Sequence, residues 1–244
     1  MSNPVFLVES AIELIAGNIV RLAGDEGRHA AVVRRITAGE IVDLCDGHGS
    51  RATGTVSTVG KDWLEVQIDV ATLEAKPELT ITAVQALAKG DRAELAVEML
   101  TEVGTDVIIP WRAQNSVVKW DNTDKALDKW RRTVREATKQ SRRAYVPVVT
   151  DLQSTEQILE AIELADLAVI LHESATSPLA QVTVPQSGNV LIVIGPEGGV
   201  SPLELQAFAQ AGALIVRMGS SVMRTSTAGA VAAGVILSHT SAWN

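Results

Sequence analysis

The chain has 244 residues, 46% of them hydrophobic and 3% aromatic, and a formal net charge of −8. That length suits a small domain plus a medium one, and no stretch nears the roughly 20 apolar residues of a membrane span. Cys45 is the single cysteine, which excludes an internal disulfide and suits a reducing, cytoplasmic compartment.

The first residues, MSNPVFLVESAIELIAG, carry Glu9 and Glu13 and no basic run, so they are not read as a signal peptide. A short helix is predicted around Glu26 to Ile36. Glu40–Asp46, Ala52–Val59 and Trp63–Val70 are rich in β-branched residues and are punctuated by Gly47-His48-Gly49 and Gly60-Lys61-Asp62. Closely spaced strands with turns predict a small β-barrel over 1–72. Residues 73–78, with Pro77, form the predicted linker.

Over 79–244 the pattern becomes strand–helix alternation, the mark of an α/β domain. Thr80–Leu87 is a predicted strand, and Asp91 with Glu94 offers a capping box to a helix whose apolar face is Ala96, Met99, Leu100 and Val103. Val107–Trp111 is the next strand, Asp124–Ala144 a long helix, and Ser154 with Gln157 opens another. Leu167–Leu171 and Val190–Ile194 are continuous apolar runs, as expected of parallel strands buried on both faces.

The long helix is the basic element. Residues 129–143 hold seven Lys/Arg and one Glu, a local +6, so the remainder sums to −14. Such a stripe reads either as a phosphate-binding surface or as a solvated helix face. No zinc-spaced Cys/His cluster is present, so no metal is expected.

Residues 190–212, VLIVIGPEGGVSPLELQAFAQAG, are the sharpest feature. A buried strand ends at Gly195, Pro196-Glu197-Gly198-Gly199 turns, and Ser201, Pro202 and Glu204 start a helix with an S-x-x-E box. Consecutive glycines beside Pro-Glu exceed what a βα turn needs, which favours a ligand site at the strand carboxyl end. The run matches neither the dinucleotide nor the P-loop fingerprint. In 214–239 a strand ends near Met218-Gly219, Ser220–Arg224 make a loop, and Thr225, Ser226 and Thr227 can cap a helix of small residues, Ala228, Gly229, Ala232, Ala233 and Gly234. That helix packs tightly on the sheet, seals a cofactor cleft, or meets a second subunit.

GPEGG before a helix, then a strand ending in Met-Gly and the run VMRTSTA, resembles the SPOUT superfamily of trefoil-knotted methyltransferases. More narrowly the chain is similar to the small-subunit (16S) ribosomal RNA uridine-N3 methyltransferases. Further matches are His29…Arg35…Gly39-Glu40, Asp46-Gly47, Lys89-Gly90-Asp91-Arg92, Thr101-Glu102-Val103-Gly104, Ser116-Val117-Val118-Lys119-Trp120 and Gln140-Ser141-Arg142-Arg143.

The resemblance implies a small PUA-like domain followed by a knotted parallel-sheet domain, a homodimer with no membrane or metal partner, and S-adenosyl-L-methionine as cofactor. Its binding residues would be Leu171, His172, Gly195, Pro196, Glu197, Gly198, Met218, Gly219, Val222, Met223, Arg224 and Thr225. The partner would be small-subunit ribosomal RNA or the assembled 30S subunit. Arg224 is the candidate to stabilise charge on the reacting base, against a structural ion pair. Glu197 would meet the cofactor or orient its own loop, and His172 is read as a packing residue. RNA phosphates would meet His29, Arg34, Arg35, Arg131, Arg132, Arg135, Arg142 and Arg143. The sequence departs from the family pattern at Ser226, where Glu is usual, at Asn115, where Arg is common, and at Lys139, where an acid is usual. The competing readings are a ribose 2′-O-methyltransferase of the same superfamily and a non-catalytic ribosome-assembly factor.

Overall fold

The computed structural model describes residues 3–9 and 14–243. The chain divides into two compact units, 1–76 with 138–146, and 77–137 with 147–244. Among the described residues no helix is long and apolar enough to cross a membrane.

In the first unit five strands form one sheet: β1 (Val5–Leu7), β2 (Ile19–Leu22), β3 (Ile41–Cys45), β4 (Ser50–Val59) and β5 (Leu64–Leu73), in the order β1-β3-β4-β5-β2. Only the β1–β3 pair is parallel. Alternation sets the buried face: Leu64, Val66 and Ile68 of β5 join Val42, Leu44, Val56, Val20, Leu22 and Phe6 in one core. Helix α1 (Gly24–Arg28) runs into a π-turn over His29–Val33, so the predicted helix is present but stops short of Ile36. Burial pushes the Cys45 thiol up from its ordinary value.

Strands β1 and β2 are not among the predicted elements. Each is very short, and β1 is fixed by parallel pairing with a strand distant in the chain. Segment 138–146 also belongs to this unit. Val146 N–H donates to Gly47 O, Gly49 N–H to Ala144 O, and Tyr145 Oη to Glu74 O at 2.8 Å. Lys139 Nζ lies 2.8 Å from Glu26 Oε1, with the two side chains 9% and 17% exposed. Lys139→Ala is expected to cost about 3 kcal/mol, because it strands a largely buried carboxylate. Urea unfolding checks this, and a loss below about 0.5 kcal/mol would mark an ordinary surface pair.

The second unit is a seven-stranded sheet of β6 (Leu79–Ala86), β7 (Val107–Trp111), β8 (Val148–Val149), β9 (Leu167–Leu171), β10 (Ser177–Pro178), β11 (Gly188–Ile194) and β12 (Leu214–Arg217). Every pair is parallel, in the order β10-β12-β9-β11-β6-β7-β8. Five helices accompany it: α2 (Arg92–Val103), α3 (Thr123–Ser141), α4 (Thr155–Glu163), α5 (Pro202–Gln210) and α6 (Thr225–Leu237). One core joins Val84, Ile109, Trp111, Ile158, Ile170, Leu191, Val193 and Phe208, with the Trp111 and Phe208 rings edge-to-face at 5.4 Å.

The starts of α4 and α5 follow the capping signals, and those of α2 and α6 do not. Ser154 N–H donates to Gln157 Oε1 at 2.9 Å, and Ser201 with Glu204 closes the second box. Asp91 makes no side-chain cap bond. Its φ of −67° and ψ of −4° are already helical, which turns the carboxylate away from the first free N–H groups. Glu94 instead pairs with Lys129 Nζ at 2.7 Å. The buried face of α2 is Ala93, Ala96, Val97, Leu100 and Thr101, a shift from the predicted stripe that leaves Met99 and Val103 half-buried.

Helix α3 ends at Ser141 rather than Ala144. Arg142 takes a left-handed φ of 60°, Arg142 N–H donates to Lys139 O, and Arg143 N–H reaches back to Thr138 O, which is a Schellman closure built without glycine.

Small residues bring α6 close to its neighbours. A Cβ at Gly229 would meet Ile194 Cγ1 and Leu100 Cδ2, each at 3.1 Å, so a larger residue there would push those side chains by a few tenths of an ångström. The N-cap of α6 is Arg224, with extended backbone. The predicted caps Thr225, Ser226 and Thr227 are its first turn.

Candidate active site

Parallel strands β9, β11 and β12 end side by side, and their carboxyl-end loops enclose a cavity of about 660 Å³. Leu171 ends β9 and His172 follows it, Gly195 to Val200 follow β11, and Met218 to Arg224 follow β12. Thr225 and Ala228 of α6 and Arg92 of α2 complete the wall. Every residue named from the sequence for the cofactor therefore lines one cavity.

Each loop is held by specific hydrogen bonds. Gly199 N–H donates to Pro196 O at 2.9 Å and closes the Pro196–Gly199 turn. Glu197 Oε1 accepts the Lys89 N–H at 3.0 Å, so this carboxylate ties its loop to the β6–α2 connection. Asn115 Nδ2 donates to Gly198 O and Gly199 O at 3.3 and 3.2 Å. A Cβ at Gly198 would press on Asn115 O at 3.1 Å, so glycine lets the turn and Asn115 approach without displacing either. The departure at Asn115 thus sits directly on the glycine turn. Ser226, the other departure near the cavity, is buried in α6.

Glu204 organises a buried network at the start of α5. It is 5% exposed, and its oxygens accept from Gln114 N–H (2.8 Å), Thr155 Oγ (3.0 Å) and Ser201 N–H (3.0 Å). A second buried network joins Gln85, Thr225 and Gly195. Gln85 Nε2 donates to Thr225 Oγ1 at 2.9 Å, and Thr225 Oγ1 donates to Gly195 O at 2.8 Å. Gln85 is completely buried, and among the described residues its Oε1 has no partner. An orphaned buried acceptor of this kind costs about 1–3 kcal/mol.

Arg224 is exposed at the cavity and forms no ion pair among the described residues. Ser174 Oγ lies 2.8 Å from His172 Nδ1. Arg92 faces the cavity although the sequence reading assigned it no role. The Lys89–Arg92 motif was its only signal. Among the described residues no group of three or more His, Cys, Asp or Glu is placed to hold a metal ion.

The residues named for RNA have unequal environments. Arg132 and Arg135 are exposed on α3 without an ion pair among the described residues, whereas Arg131 meets Asp151 at 3.3 Å and Asp128 at 3.7 Å. Arg142 is half-buried, and its guanidinium donates to Asn3 O at 2.6 Å, so its best contact is within the protein. Arg143 is half-buried, Arg34 and Arg35 are exposed, and His29 packs edge-on to Phe6 at 6.2 Å between ring centroids.

A family model described as RNA methyltransferase domain matches residues 75–237, and one described as RNA methyltransferase PUA domain matches residues 22–69. Fold and cavity therefore define the class as an α/β RNA methyltransferase domain behind a PUA-like domain. "Ribosomal RNA small subunit methyltransferase E" of Mycobacterium bovis is 41% identical over 234 residues, 93% of this chain and 89% of that protein. The Bacillus subtilis protein of the same name is 30% identical over 218 residues, 85% of each. The chain belongs to this ribosomal RNA small subunit methyltransferase E family. Its structure is also similar to that of the Neisseria gonorrhoeae member bound to S-adenosyl methionine, with TM-score 0.87, 27% identity, and coverage of 97% and 98%. A Legionella pneumophila protein in complex with its cofactor SAM has TM-score 0.89, 26% identity, and coverage of 98% and 99%.

Proposed function

We propose that this chain transfers a methyl group from S-adenosyl-L-methionine to N3 of a uridine in small-subunit ribosomal RNA. One observation carries the reading: both loops singled out in the sequence converge on one cavity at the carboxyl ends of β9, β11 and β12. Its volume lies within the roughly 300–1,000 Å³ usual for small-molecule sites. Backbone groups of Gly195–Gly198 and Met218–Gly219, with the side chains of Leu171, Val222 and Met223, offer a flat adenosine both apolar contact and main-chain hydrogen-bonding groups. When bound, the cofactor supplies an electrophilic methyl group.

The protein's remaining task lies with the nucleophile. Uracil N3 carries a proton and attacks only after losing it, and the resulting charge spreads over O2 and O4. A guanidinium aimed at those oxygens stabilises the anion, and Arg224, at the cavity and unpaired among the described residues, is the group for it. Arg92 supports the same local charge. The family relation further supports a deep knot through the loops after β11 and β12, a homodimer, and a cytoplasmic location. The decisive experiment incubates the protein with labelled cofactor and small ribosomal subunits lacking the modification, then identifies the labelled nucleoside. N3-methyluridine is expected. A 2′-O-methylated nucleoside, or no label, would overturn the reading.

Phosphate attraction gives affinity without sequence choice. Replacing Arg132 and Arg135 together with alanine is expected to weaken binding to small subunits about tenfold and to make log K against log salt shallower by about 2. Cofactor affinity should not change. An unaltered salt slope would remove α3 from the RNA surface.

A further inference from the structure

Gln85 is the next-to-last residue of β6, wholly buried, and touches no open part of the cavity. Its amide nevertheless controls the wall. A threonine hydroxyl has one hydrogen and can send it to only one acceptor. Because Thr225 Oγ1 accepts from Gln85 Nε2 at 2.9 Å, its own hydrogen is left to point at Gly195 O, 2.8 Å away. Gly195 begins the glycine turn after β11, and Thr225 is the first residue after the β12 loop. A single O–H···O bond thus joins the two loops that face each other across the cavity, and Gln85 sets its direction.

Gln85 Nε2 also donates to Ala86 O at 3.1 Å, but that bond stays within the end of β6, and among the described residues the other half of the amide is unsatisfied. Gln85 Oε1 has no partner among the described residues, so an apolar side chain of the same length would remove an orphaned acceptor from the core. We propose that Gln85 is a positioning residue: through the Thr225 hydroxyl it holds the glycine turn and the β12 loop at the separation that accepts the methyl donor. The inference rests on the cofactor reading above.

The test uses Gln85→Met, Thr225→Val, Thr225→Ser and the Gln85→Met/Thr225→Val pair in the full chain. In the ligand-free protein, Gln85→Met is expected to speed amide exchange in 195–199 and 218–224 about tenfold while leaving β6 protected and the melting temperature equal or higher. Calorimetric titration with S-adenosylmethionine should then give a dissociation constant about tenfold weaker for Gln85→Met and for Thr225→Val, and no weaker for the pair, since each breaks the one chain of hydrogen bonds that runs from Gln85 through Thr225 to Gly195. For Gln85→Met the rise should appear in KM for the cofactor, with kcat at saturation within about twofold. Thr225→Ser, which keeps the hydroxyl, should bind within about threefold of the wild type.

Unchanged exchange in both loops, or losses that multiply to about a hundredfold in the pair, would overturn the inference. Wild-type protein that binds no S-adenosylmethionine would overturn the functional reading instead, and the ligand-free exchange would still decide whether Gln85 holds the loops.

Discussion

Arg224→Ala should lower the single-turnover methylation rate, with RNA and cofactor saturating, by about 10²–10³-fold, the usual cost of deleting one charge-stabilising donor. Its backbone is committed. Extended at φ −68° and ψ 149°, it N-caps α6, and its carbonyl accepts from Thr227 N–H and Ala228 N–H, each at 2.9 Å. The guanidinium is not committed, because among the described residues it forms no ion pair, so truncation removes a cation from the cavity without freeing a buried carboxylate. The helix start should therefore survive. Removing the cation also makes the uracil proton harder to lose, so the rate should rise with pH over a higher range in the variant than in the wild type. Arg224→Lys restores charge but not the planar fork that can meet two oxygens, and should recover only part of the rate. A single-turnover rate within about threefold of wild type would exclude Arg224 from the chemistry, since one positioned donor is worth far more.

The cofactor loops were legible because their signals are local. The bounds of β7 and β9 follow from uninterrupted apolar runs, and Ser201, Pro202 and Glu204 announce the start of α5 within four residues. What the sequence hid depends on partners distant in the chain. β8 and β10 are two residues each and exist only through the strands they pair with. Segment 138–146 joins the first unit through bonds to residues 47, 49 and 74, which no periodicity records. Asp91 and Glu94 have the spacing of a capping box, but the backbone at Asp91 overrides it. Gln85 reads as one polar residue in an apolar strand, and its meaning appears only with Thr225 beside it. Arg142 sits in a basic run and reads as a phosphate ligand, yet its left-handed backbone closes α3 and its guanidinium holds Asn3. The RNA surface was the least legible part, because charge in a sequence does not say which cations are already occupied.

Glu204→Ala should destabilise the α/β unit by about 3–4 kcal/mol, because it leaves buried donors without acceptors. At this chain length that corresponds to a fall of about 10 °C in melting temperature. Among the described residues Glu204 forms no ion pair. The carboxylate is held by Gln114 N–H, Thr155 Oγ and Ser201 N–H, and it lies in the first turn of α5, where the helix dipole favours an anion. It therefore ties the strand-end segment at Gln114 to the starts of α4 and α5. Trp111 Nε1 extends the network by donating to Thr155 Oγ1 at 3.2 Å. The consequence reaches the cavity, since Asn115, next to Gln114, carries the glycine turn. Cofactor affinity should accordingly fall about tenfold in Glu204→Ala even at temperatures where the fold is intact. Glu204→Gln keeps the shape but sets an NH₂ against an N–H or hydroxyl donor, and should cost about half as much. Thermal melts and cofactor titrations on both variants decide the matter. If Glu204→Gln matches the wild type, the carboxylate is replaceable by any residue of its shape. If Glu204→Ala loses stability but binds cofactor normally, the link from α5 to the glycine turn does not exist.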